Sequence, residues 1–244
     1  MSQSNEIKEF FEKNKIQSIL DNKIAFKYKL NLTKDDYDYL NNINNFKEYT
    51  EILIAGIAGA GVVYAGFISS LGVFGQIGLG LGLVSTPFGW MALAAGASMA
   101  SIYGIKKIVK KAENKAYDKL PKYLKTPLDV LAESLANLFI PIFIKIAVID
   151  GKLSNEERNF IIDYLSIQWG YNKKYIESKI EEYYKNINKI KLPNVNKYIK
   201  GVSKSVKGLD VENIKYEIEN ASMKLIQIDG NRNEKEKYIT KIFK

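Results

Sequence analysis

Residues 52–105 constrain what this chain can fold into more than any other stretch. They contain no Asp, Glu, Lys or Arg, and they hold 12 of the chain's 17 glycines. Residues 52–71 are Ile, Leu, Val, Ala, Gly and Phe, interrupted by Tyr64, Ser69 and Ser70. As a helix they would span about 30 Å, the hydrocarbon thickness of a bilayer. Residues 72–84 stay apolar and Gly-rich, with Gln76 as the one polar side chain. Ser85, Thr86, Pro87, Phe88 and Gly89 form a turn signal. A second apolar run, 90–105, stops at Lys106, Lys107, Lys110 and Lys111.

Ala92, Gly96, Ala100 and Gly104 recur at every fourth position. One helical face is then nearly bare backbone, so a second helix can approach closely, as helices do in lipid. Gly56, Gly59, Gly66, Gly78 and Gly82 supply small residues to the first arm. Each helical Gly costs about 1 kcal/mol against Ala, which close packing must offset. The expectation is an antiparallel helical hairpin, with Trp90 near an interface. It associates with membrane lipid or with another copy of itself. The alternative is a hairpin buried in a soluble bundle, as in pore-forming toxins before insertion. A nucleotide loop fails on detail. No G-x-x-x-x-G-K-[ST] occurs, and Gly78, Gly80 and Gly82 do not complete G-x-G-x-x-G.

The chain has neither cysteine nor histidine. That excludes disulfides, thiol nucleophiles, Ser-His-Asp and Cys-His mechanisms and ordinary zinc sites. A non-enzymatic protein is expected. The net charge of +9 is uneven: residues 106–244 carry 28 basic residues against 18 acids. Only Arg158 and Arg232 are arginines, which argues against base-reading nucleic-acid recognition. No secretory signal opens the chain. The lysines that follow 105 place both termini in the cytoplasm and the hairpin in the cytoplasmic membrane. A wholly cytoplasmic chain is the alternative.

Three regions follow: 1–51, an N-terminal helix and extended segment; 52–120, the hairpin with a basic helical extension; and 121–244, a helical domain. The overall class is all-α. Within the first region, 6–20 reads as an amphipathic helix. Residues 23–32 alternate apolar and polar with period two, which predicts an extended segment. Thr33 and Asp36 resemble a capping box opening a helix that runs toward the apolar stretch. In the third region, Thr126, Pro127 and Asp129 are a strong helix start, and Pro141 should kink the helix that reaches 149. Helices are expected over 154–169, 172–187 and 194–208. The last has Val195, Tyr198, Ile199, Val202, Val206 and Leu209 on one face, and Lys197, Lys200, Lys204 and Lys207 as a basic surface. Asp210 then caps a helix with Val211, Ile214, Ile218, Leu225 and Ile228 inward, and 234–243 closes the chain.

Two segments, 145–157 and 224–236, match each other. Each ends a helix at Ile-Asp-Gly, then offers Ser154 or Asn233 as N-cap and Glu157 or Glu236 three residues later. An EF-hand is excluded, because its first two ligand positions would fall on Ile146 and Val148. Helix capping explains the Gly, Ser, Asn and Glu residues but not the Asp before each Gly.

The run Ala-Val-Ile-Asp-Gly-Lys-Leu-Ser-Asn-Glu-Glu, ending at Glu157, resembles the tellurite-resistance TerB-like domain. The resemblance covers about residues 125–244. It implies an all-helical bundle with acidic residues that bind a metal ion. By motif match these are Asp150, Glu157, Asp229 and Glu236, with Glu156 as a further carboxylate. Hard oxygen ligands suit calcium, magnesium or manganese. The second copy departs from the pattern, with Arg232 in the hydrophobic position and Asn233 for Ser. The family occurs with membrane-associated stress and defence systems. The resulting expectation is a membrane-associated stress or defence protein with a cytoplasmic TerB-like interaction or metal-sensing domain. The alternative is a pore-forming or abortive-infection effector, soluble until its hairpin inserts.

Overall fold

The structure is a computed structural model. It describes residues 17–42, 44, 125–185, 187–189, 195–203, 206, 208–229 and 239, the side chains of Lys189, Lys197 and Asp229 excepted. Seven α-helices occur among them: α1 Lys23–Lys29, α2 Lys34–Leu40, α3 Pro127–Ala147, α4 Asn155–Asp163, α5 Lys173–Lys185, α6 Val195–Ser203 and α7 Val211–Asp229. The described residues include no strand, so the fold is all-α. The hairpin expected over 52–105 and the closing helix over 234–243 lie outside the described residues, apart from Ile239.

α3 is the axis of the bundle. Thr126 caps it, accepting the Asp129 N–H, and the Asp129 carboxylate answers to the Thr126 backbone. Proline at the first position costs nothing there, because its missing N–H would have had no helical partner. Every α3 side chain but Lys145 is buried. Pro141 lies inside the helix without ending it. With the turn that follows, Pro127–Asp150 is long and apolar enough to cross a membrane, its most apolar 18-residue window having a mean hydropathy of 1.8. Here 83% of its most apolar window is buried inside the protein. α5 and α7 provide most of that cover.

The expected helix after Ser154 begins as α4 and continues as a π-helical turn, Tyr164–Gln168, before Trp169. Asn172 caps α5 by accepting the Tyr175 N–H (3.0 Å), and Asp210 caps α7 by accepting the Asn213 N–H (2.9 Å). Val195, Tyr198, Ile199, Val202, Val206 and Leu209 are all buried, as their spacing predicts. Ile228, expected inward, is instead 37% exposed.

The extended segment expected over 23–32 is instead α1 and the turn after it. Asn22 accepts the Ala25 N–H and starts the helix. Phe26 and Leu30, four residues apart, are fully buried, whereas Ile24 and Tyr28 are 52% and 75% exposed. The period-two pattern arose because every second residue is apolar, yet only one stripe of them faces the core. The helix expected through residue 20 does not reach it. Leu20 instead forms an isolated antiparallel bridge with Tyr171. The Thr33 cap forms as expected, but its helix stops at Leu40 and does not run on toward the apolar stretch.

α1 and α2 belong to the same core as α3–α7. Phe26 packs on Trp169 (6.0 Å between centroids) and edge-on to Tyr171 (5.6 Å), and Trp169 meets Phe139 of α3 at 4.7 Å. Full burial of Phe26 or Leu30 stabilises by about 1.5–3 kcal/mol each.

Candidate membrane-anchor junction

In sequence the apolar stretch lies between α2 and α3. The structure brings the end of α2 and the start of α3 together. The Lys23 ammonium donates to Asn41 Oδ1 (2.8 Å) and lies 3.9 Å from Asp129 Oδ1. Asn41 is the C-cap of α2, and Asp129 is in the first turn of α3. One amine therefore joins the last turn of α2 to the first turn of α3.

Each partner is held from behind. Asp129 is 2% exposed, and its Oδ2 accepts the Lys125 N–H (3.0 Å), the Thr126 N–H (2.8 Å) and the Thr126 hydroxyl (2.9 Å). Lys23 begins α1, which is fixed through both backbone and side chains. The Asp21 and Asn22 N–H groups both donate to the Gly170 carbonyl (2.9 Å each), and the Asn172 N–H donates to the Ile19 carbonyl (2.7 Å). Gly170 has φ +76°, and a Cβ there would stand 2.1 Å from the Asn22 oxygen. Lys29 donates to Glu217 Oε2 (2.7 Å), which also accepts the Tyr164 hydroxyl (2.6 Å). Asn213 Nδ2 donates to the Lys29 carbonyl (2.7 Å). The Lys23 contacts are half-exposed, so screening leaves the ion pair about 1 kcal/mol or less. Its significance is geometric: Asn41 and Asp129, on either side of 45–124 in sequence, come together at the N-terminal end of α3.

Beneath the junction runs a buried polar seam that the sequence reading missed. Asp129, Glu133 and Asn137 recur every four residues on α3, and the last two meet Tyr175, Lys179 and Tyr183, which have the same spacing on α5. Glu133 Oε1 is 3.0 Å from the Lys179 ammonium and accepts Asn137 Nδ2 (3.2 Å), while Oε2 accepts the Tyr175 hydroxyl. Tyr183 donates to Asn137 Oδ1 (2.6 Å). Tyr171 and Tyr198 donate to the carbonyls of Ala132 (2.8 Å) and Ser134 (2.9 Å). Burial pushes the Glu133 carboxyl up, but the Lys179 cation and the hydrogen bonds outweigh it and hold it below the ordinary carboxylate value. Burial pushes Lys179 down, but the Glu133 and Glu182 carboxylates outweigh that and raise it. Burial, with the Glu133 charge nearby, raises the phenols of Tyr171 and Tyr198, so both stay protonated at neutral pH. The signal for this seam was a period-four polar stripe, Asp129, Glu133 and Asn137, in the otherwise apolar α3.

The other residues singled out from the sequence fall as follows. Asp150 is exposed beside Gly151, which adopts φ +103°, and its Oδ1 accepts the Lys152 N–H (3.3 Å). Glu157 is fully buried and closes a capping box with Ser154. Glu156 is exposed in the same first turn. Asp229 ends α7; its side chain and Glu236 lie outside the described residues. Among the described residues no three carboxylates gather as metal ligands. Asp150 and Glu157 both accept hydrogen bonds from backbone N–H groups of their own turn. Lys200 is exposed on α6. Gly56, Gly59, Gly66, Gly78, Gly82, Trp90, Ala92, Gly96, Ala100, Gly104, Lys106, Lys107, Lys110, Lys111, Lys204 and Lys207, with the Lys197 side chain, lie outside the described residues.

No family model matches the chain, and no curated protein or solved structure matches it either.

Proposed function

We propose that this chain is a non-enzymatic membrane-associated protein. Its charge-free stretch, 52–105, is a lipid-embedded helical hairpin, and the α1–α7 bundle is the cytoplasmic module at the hairpin's base. The supporting observation is the Lys23 junction. Asn41 and Asp129, on either side of the stretch in sequence, come together, which suits an even number of membrane crossings with both ends on one side. The small-residue stripe from Ala92 to Gly104 suits helix–helix contact inside lipid. The Asp150–Glu157 turn, through its likeness to TerB-like domains, supports a stress or defence setting and a role in partner binding or metal sensing.

Fractionation of cells expressing the full chain tests this. The protein is expected in the membrane fraction and to resist alkaline extraction. Gly96→Arg is expected to release it, because an Arg at the helix centre costs about 2.5–3.5 kcal/mol or more in lipid. A wild-type chain that stays soluble in the presence of membranes overturns the proposal. A soluble pool that permeabilises vesicles supports the effector reading instead.

A further inference from the structure

We infer that Lys23 is a two-position latch between α2 and α3. In the described state its ammonium holds Asn41 at the end of α2. When Asn41 withdraws, the same ammonium closes on Asp129 Oδ1 at the start of α3. This inference stands apart from the membrane reading above.

An unmade bond carries it. Asp129 Oδ2 accepts three donors, the Lys125 N–H, the Thr126 N–H and the Thr126 hydroxyl. Asp129 Oδ1 is also buried and accepts no hydrogen bond. A buried carboxylate oxygen without a donor is costly to leave so. Lys23 Nζ stands 3.9 Å from it, beyond hydrogen-bond length, while lying 2.8 Å from Asn41 Oδ1. Charge-assisted N–H···O bonds run to about 2.7–2.9 Å, so a movement of about 1 Å completes the bond. Only the Lys23 side chain has to move. The backbone before it is pinned, because the Asp21 and Asn22 N–H groups both donate to the Gly170 carbonyl.

Asn41 is the partner that can leave. It is the C-cap of α2, a helix of seven residues. Helix ends fray, and helices this short are marginal on their own. Leu40 is buried and Thr33 caps the other end, so fraying from Asn41 stops at Leu40. In the described state Lys23 keeps the Asn41 bond, part of the attraction to Asp129 and part of its hydration, its side chain being 31% exposed. Withdrawal of Asn41 removes the first of these and tips the ammonium toward the oxygen that lacks a donor. The end of α2 can then open while α1 stays joined to α3.

Competitive acylation of the full chain by a trace of amine-reactive anhydride tests this, since only an unprotonated amine reacts. Lys29, held on Glu217, is the internal reference and is expected to stay constant. Asn41→Ala is expected to leave the Lys23 rate within about twofold of wild type, because Asp129 takes over the ammonium. Asn41→Ala combined with Asp129→Asn is expected to raise it about tenfold, the worth of one charge-assisted hydrogen bond. Asp129→Asn alone, with Asn41 in place, is expected to raise it less than the double variant does. A tenfold rise in Asn41→Ala alone overturns the inference, since Lys23 then has no second position. So does the full rise in Asp129→Asn alone, or a double variant that stays at the wild-type rate. If the Asp129 variants loosen the bundle, Lys29 rises with Lys23, and salt then decides. A carboxylate's hold on an ammonium weakens with salt more than a neutral carbonyl's does. Lys23 in Asn41→Ala is therefore expected to gain more from high salt than in wild type. Equal salt dependence in the two overturns the inference with Asp129 untouched.

Discussion

Glu133 and Lys179 show how a charged pair survives at the centre of an apolar bundle. Both are 1% exposed. Taking either charge out of water costs several kcal/mol unless its partner and hydrogen bonds remain. Lys179→Met, which leaves the carboxylate buried alone, is expected to destabilise by about 3–5 kcal/mol in urea unfolding. Adding Glu133→Gln to it should recover part of that loss, and a fully additive double variant would contradict the pairing. The pH dependence follows from the directions of the shifts. The lowered Glu133 contributes stability that is complete above its ordinary value of 4.5 and is lost as pH falls through its lower folded value. The raised Lys179 contributes stability that is complete below 10.5 and is lost as pH rises through its higher folded value. Melting temperature measured against pH should therefore lose part of its acid limb in Glu133→Gln. At the Gly151 turn, Ser154→Ala is expected to cost about 1 kcal/mol as a lost N-cap. Calcium or manganese should raise the melting temperature of the full chain if the acidic turns bind metal, and Asp150→Asn should abolish the rise. An unchanged melt at millimolar metal would leave capping as the role of Glu157.

Among the elements, α1 couples the N-terminal region to the rest. It is too short to persist alone, since isolated helices below about 12–15 residues are marginal. Its stability comes from Phe26, Leu30 and the backbone bonds to Gly170. Phe26→Ala is expected to cost about 3–5 kcal/mol. Gly170→Ala meets both a positive φ and the Asn22 carbonyl, so it should loosen α1. Faster hydrogen exchange at the Asp21 and Asn22 amides would report that loosening, and unchanged exchange would show that the strand-like contact does not depend on this glycine. A piece lacking residues 1–121 loses the ring against Trp169 and should melt at lower temperature than the full chain.

For the whole molecule, α3 illustrates why hydropathy alone is ambiguous. A helix buried on every side and a helix in lipid present the same apolar length. α3 differs in its polar seam, whose partners come from α5 and from Tyr171 and Tyr198. Detergent should therefore leave α3 protected from exchange in the bundle. Residues 52–105 carry no charged residue, and the membrane proposal concerns them.

Much of the helical order was legible locally. Thr126, Ser154, Asn172 and Asp210 each mark a helix start because their side-chain oxygens satisfy N–H groups that no earlier turn can reach. The apolar face of α6 was legible because one stripe of a 3.6-residue period must face the core. The sequence by itself therefore determined the all-α class, the caps and the separation of a charge-free stretch from a Lys-rich bundle. Only tertiary structure decided that 23–29 is helical, because its period-two pattern fitted a strand until Phe26 and Leu30 found Trp169 and the core. Tertiary structure alone also paired Glu133 with Lys179 and set Asn41 beside Asp129. Those contacts join residues far apart in the chain, and no local spacing encodes which distant partner will neutralise a buried charge.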